Sequence, residues 1–115
     1  MNLAEYQVLA MRTAKELSRS KALLHMITGL SSEVGELADN IKKAEIYGAN
    51  HDWENVAEEL GDLLWFTAYA ANISGMSLET IARLNIEKLQ KRYPEKYTDE
   101  LALARLDKHV KVVQS

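Results

Sequence analysis

Glu33-x-x-Glu36 and Glu59-x-x-Asp62 each set two carboxylates three residues apart, in stretches that otherwise read as the apolar faces of helices. Residues at that spacing are neighbours on one helix face, so each doublet presents two oxygen ligands side by side. Two antiparallel helices can then close a set of four. Carboxylates packed so densely repel one another unless a cation lies among them. All-oxygen ligands select hard cations, and a site open enough to retain water favours Mg2+, with Mn2+ as an alternative, whose usual co-ligands are substrate phosphates. The chemistry implied is that of a phosphate ester or anhydride.

On a helical wheel Glu33 lies at the edge of an apolar stripe beside Leu30 and Leu37, with Glu36 just outside it. Glu59 and Asp62 adjoin the stripe of Val56, Leu60, Leu63 and Thr67, whereas Glu58 points away and reads as solvated, with an extra ligand of the acidic site as its alternative. A carboxylate at such a boundary is partly buried and needs a partner. The ordinary alternative is that acidic residues on helices are solvated surface. A basic counterpart occurs in Asn85-x-x-Lys88-x-x-x-Arg92, which projects an amide, an ammonium and a guanidinium from one helix face and is suited to a polyphosphate. Its alternative is simple complementation of a helix C-terminus by basic residues. His25, His51 and His109 fall outside the Glu-x-x-His spacing of di-iron carboxylate bundles and read as structural or surface residues. Trp53 is a candidate for stacking on a base; Trp65 reads first as core.

The elements that position these groups are helices, because one proline and five glycines leave few breaks for strands and turns. The fold class predicted is all-α. A first helix is expected over about 3–17, with Tyr6, Leu9, Ala10 and Thr13 on its buried face. After a cap at Ser18–Ser20, a second runs over about 21–47 behind the stripe Leu23, Ile27, Leu30, Val34, Leu37 and Ile41, and Gly48 closes it. A third, capped by Asn50 or Asp52, is expected over about 52–74, and a fourth over 78–92 is stopped by Pro94. A weakly helical tail occupies about 98–112. No charge occurs between Leu63 and Leu78, where Leu64, Trp65, Phe66 and Tyr69 spread around more than one face. That run is too short and too polar for a membrane span, so it predicts a subunit interface and a homo-oligomer.

With 115 residues, one domain is expected. A net charge of −3 gives no basic field to hold a polynucleotide. The absence of cysteine removes thiolate sites and disulfides, and with an N-terminus unlike an export signal it fits a cytoplasmic protein with no membrane partner.

The strings GLSSEVGELADNIKK, VAEELGDLLWFTAYAA and IARLNIEKLQKRYPEKY, in that order, resemble the MazG-like branch of the all-α nucleoside triphosphate pyrophosphohydrolases, over about Leu23 to Tyr97. The resemblance implies a four-helix, bundle-like subunit completed as a homodimer or homotetramer. It implies magnesium-dependent cleavage of nucleoside triphosphates to monophosphate and pyrophosphate, with Glu33, Glu36, Glu59 and Asp62 as metal ligands. Lys88 and Arg92, with Asn85 nearby, match positions that contact phosphate and substrate; Ser32 stands where many relatives carry another Glu. The expected mechanism is in-line attack of water at the α-phosphorus, with Glu33 as first choice of base and Lys88 and Arg92 on the departing pyrophosphate. Substrate identity does not carry over, and nucleotide pool sanitation is one role among several that use the same bond. The rival readings are a non-catalytic helical interaction module and a nucleotide or metal sensor.

Overall fold

A computed structural model describes residues 1–109, and every described element is helical. The order is α1 (Leu3–Met11), α2 (Arg19–Glu45), α3 (Trp53–Ile73), α4 (Leu78–Arg92), α5 (Asp99–Ala104) and α6 (Leu106–His109). Contacts group the chain into two compact units, Met1–Leu78 and Glu79–Ser115. No helix among the described residues is long and apolar enough to cross a membrane.

The first unit is a long α2–α3 hairpin with α1 laid on α3. The antiparallel sense follows from its ends: Arg19 donates to the Ile73 carbonyl at 3.1 Å, and Asn40 bonds Asn55 at the opposite end. Caps set the boundaries. The Ser18 hydroxyl accepts from the Lys21 amide and the Asp52 carboxylate from the Asn55 amide, satisfying N–H groups that a first helical turn leaves open. Gly48, at φ +75°, lets the Ala49 amide turn back to the Lys43 carbonyl. Gly75, at φ +71°, closes α3 in a Schellman turn, with the Met76 amide on the Ala71 carbonyl. The Gln7 carboxamide accepts from the Leu78 amide and donates to the Met76 carbonyl, which ties that turn to α1.

Three sequence expectations are corrected here. The first helix ends at Met11 rather than near residue 17. The Ala10 carbonyl, which would extend it, is taken by the amide and hydroxyl of Thr13 and by the Trp65 indole N–H. Thr13 is thus an exposed capping residue, and Leu9, expected inside, is also exposed. Secondly, the α2 stripe does not bury as one: Leu30, Leu37 and Ile41 are partly covered, while Leu23, Ile27 and Val34 remain exposed.

Thirdly, the uncharged run predicts a subunit interface from Leu64, Trp65, Phe66 and Tyr69 together, yet the chain shelters the three rings itself and leaves Leu64 exposed. Tyr69 is 4% exposed, and the three rings pack edge-on or tilted around His25. Gly29 makes this possible, since a Cβ there would overlap the Phe66 ring. The core reading of Trp65 holds, and that of His25 as a structural residue holds with it.

In the second unit α4 carries Asn85, Lys88 and Arg92, and its span agrees with the 78–92 expected. The tail is helical as far as it is described, broken at Arg105, whose φ is 51°. The last part of the predicted 98–112 segment lies outside the described residues.

Candidate metal centre and adjoining cleft

Glu33 and Glu36 occupy the middle of α2, and Glu59 and Asp62 the first half of α3, so the antiparallel hairpin brings both doublets to the same level. One carboxylate oxygen from each of Glu33, Glu59 and Asp62 lies within 4.8 Å of the others. Glu36 joins through Glu59: its carboxyl is pushed above the usual range, first by hydrogen bonding with and then by the charge of Glu59. Glu59 is only 7% exposed, and its own carboxyl is raised by close pairing with Glu33 and then by burial. Glu58 is exposed, as its wheel position predicted.

The donor set fits a hard divalent cation on a specific ground. Among the described residues Glu33 Oε2 and Glu59 Oε2 are buried with no hydrogen-bond partner, and neither carboxylate is in an ion pair with a cationic side chain. Buried oxygens left in that state cost free energy that a cation would return. On the side of α1, Tyr6 feels the same charge: its phenol is raised by burial and by Asp62.

Beside the carboxylates an open cleft of about 710 Å³ runs between α2 and α3 toward the 46–52 turn. Glu36 and Glu59 line it, with Gly35 and Ser32 within one turn before Glu36, and Asp39, Asn40, Lys43, Ala49, Asn50, Asp52 and Asn55 lining it toward the turn. Lys43 is held by Asp39 at 2.9 Å, and its ammonium is raised by that carboxylate. The Asn40 Nδ2 donates to Asn55 Oδ1 at 2.7 Å, while Asn40 Oδ1 is buried without a described partner. An acceptor stranded in this way costs on the order of 1–3 kcal/mol.

Residues 21–97 match the MazG nucleotide pyrophosphohydrolase domain. The chain belongs to this family. It is also 32% identical over 103 residues to the Gene 37 protein of Mycobacterium phage L5, covering 80% of this chain and 89% of the phage protein. No solved structure gives a significant match.

The remaining residues singled out in this MazG-family sequence are placed less uniformly. Asn85 and Lys88 are exposed on α4. Arg92 is already engaged: its Nε and Nη2 donate to the two Asp107 oxygens at 2.8 and 3.3 Å, and the Asp107 side chain is 3% exposed. Arg92, expected on a face suited to a polyphosphate, is thus found paired with a carboxylate. Trp53 is 65% exposed, stacks on His51 at 4.9 Å and does not line the cleft, so its expected contact with substrate gains no support from position.

Asn40 and Asn55 were missed. The signal existed, for each lies four residues from a doublet, as Glu36-x-x-x-Asn40 and Asn55-x-x-x-Glu59, and therefore on the same helix faces. Asparagine on a helix is common enough that only the cleft distinguishes this pair.

Proposed function

We propose that the chain hydrolyses nucleoside triphosphates at the α–β phosphoanhydride, releasing a nucleoside monophosphate and pyrophosphate. The observation that carries the reading is the gathering of Glu33, Glu59 and Asp62 within 4.8 Å in a domain of this family. These three residues, with Glu36, would hold Mg2+ or Mn2+. Bound there, a divalent ion supplies charge neutralisation and Lewis acidity at the phosphate tail.

The residues divide the work. Glu33, through the oxygen not given to the ion, takes the proton of a water whose oxygen bonds the α-phosphorus, and the bond to the bridging oxygen breaks on the opposite side. The pair of electrons leaves with pyrophosphate. Lys88 and Arg92 are the cations assigned in this proposal to the charge of the departing pyrophosphate, a role that requires Arg92 to exchange the Asp107 carboxylate for phosphate oxygens, an anion of similar fork geometry. Asn85 accompanies them on α4.

The active form in this proposal is a homodimer or homotetramer in the cytoplasm. Leu24, Ile27 and Val34 on α2, with Leu60 and Leu64 on α3, leave apolar side chains at heptad-like spacing without cover, which is the surface a second hairpin would bury. The test is direct: purified protein is incubated with each ribo- and deoxyribonucleoside triphosphate and Mg2+, and products are separated by chromatography. Monophosphate with pyrophosphate is expected. Diphosphate with phosphate, or no turnover with any substrate, overturns the proposal.

A further inference from the structure

We infer that Asn40 and Asn55 form a recognition subsite for the nucleoside, with the Asn40 carboxamide accepting a hydrogen bond from an N–H or O–H of the substrate. This inference rests on the hydrolase reading for its substrate class. Three observations converge on it. Asn40 and Asn55 both line the cleft that Glu36 and Glu59 share. The pair is joined at 2.7 Å across the two helices, so neither amide moves independently of the other. The Asn40 Oδ1 has no described partner, which fixes what is missing: a donor.

Distance supports the assignment. Asn40 is four residues beyond Glu36 and Asn55 four residues before Glu59, so the amide bridge sits about 6 Å along both helix axes from the carboxylates. That is the scale separating a nucleotide's α-phosphate from its sugar and the near edge of its base. On the Glu33 and Asp62 face the other direction along the hairpin is filled by packed rings, Phe66 lying against Gly29 one turn away with His25 beyond, and past Glu36 the cleft continues for a single turn, along Gly35 and Ser32. With phosphates at the carboxylates, the nucleoside points toward the 46–52 turn. No aromatic side chain lines the cleft, so recognition there is by hydrogen bonding rather than by stacking.

An amide at the end of a short side chain can take a donor from either end of the nucleoside. The shared chemistry is a polar hydrogen, carried by a base N–H or by a ribose hydroxyl, and a ligand lacking it would leave the buried oxygen unpaired.

The full-length protein is assayed with Mg2+ against ribo- and deoxyribonucleoside triphosphates of each base, as wild type, Asn40→Ala and Asn55→Ala. Binding of the α,β-imido analogue of the preferred substrate and of Mn2+ alone is measured by calorimetry. Expected is a loss of roughly tenfold in kcat/KM for the preferred substrate in Asn40→Ala, with Mn2+ affinity and helical content unchanged. Discrimination among substrates should shrink with it. A collapse confined to ribo against deoxyribo identifies a sugar hydroxyl, and a collapse confined to base identity a base N–H; either supports the subsite. Unaltered kcat/KM ratios across the panel, or losses equal for every substrate that track Mn2+ affinity, overturn it. Should the wild type bind the imido analogue without hydrolysing triphosphates, the hydrolase reading fails alone, and the Asn40→Ala change in analogue affinity still decides the subsite.

Discussion

At the scale of single residues, the molecule holds a deliberate instability. Glu33, Glu36, Glu59 and Asp62 crowd like charges together, and the raised carboxyls of Glu36 and Glu59 mark the strain. Removing one of those charges has opposite effects on stability and on function. Glu59→Gln should raise the thermal midpoint of the metal-free protein, abolish the further rise expected of the wild type with Mg2+ or Mn2+, and lower turnover at least a hundredfold or so. Differential scanning fluorimetry with and without metal, beside the product assay, checks all three. A second residue-scale prediction concerns space. Gly29→Ala has to displace the Phe66 ring and should destabilise by about 1–3 kcal/mol in urea unfolding. Gly35→Ala, which meets nothing within 4 Å, should instead stabilise by roughly 0.5–1 kcal/mol, the helix-propensity difference alone. The carboxylates were legible in the sequence because their types and their spacing both carry chemistry. Asn40 and Asn55 were not, since their significance comes from a partner on the other helix that no local pattern names.

Elements were read well where local rules decide them. The caps at Ser18 and Asp52, the left-handed glycine after α2 and the stop before Pro94 are each fixed by a few neighbouring residues. The end of α1 was misread because Trp65, far along the chain, completes the cap that Thr13 begins on the Ala10 carbonyl. The pairing of Arg92 with Asp107 was missed for the same reason: it joins α4 to α6 across the intervening α5. That pairing makes a pH prediction. Hydrogen bonding to Arg92 holds the Asp107 carboxyl below its usual range, so the folded unit binds this proton less readily than the unfolded chain. Its stabilisation is complete above the ordinary carboxylate value, about 3.9, and fades as pH falls through the lower folded value. Asp107→Asn should therefore weaken the α4–α6 segment at neutral pH and flatten its acid limb, which a circular dichroism titration of both proteins reads.

For the whole molecule, the apolar residues left uncovered on α2 and α3 are the feature that a single chain does not explain. Ile27→Glu combined with Leu64→Glu should shift the protein to monomer in light scattering while leaving its helical spectrum intact; both side chains are exposed within one chain, so neither substitution disturbs its interior. An unchanged mass would remove this face from the proposed assembly. The sequence stripe on α2 was visible, but periodicity reports only that a face is apolar and not whether it meets the same chain or another. The hairpin that carries the carboxylates has a kinetic consequence as well. Its distal contact, Asn40 with Asn55, joins residues 15 positions apart across one short turn, so loop closure is inexpensive and contact order is low. The four carboxylates are accordingly expected to meet at an early stage of folding, before α1 docks, and if they hold a divalent ion as proposed, that ion present from the outset would accelerate the refolding of this chain rather than merely stabilise its product.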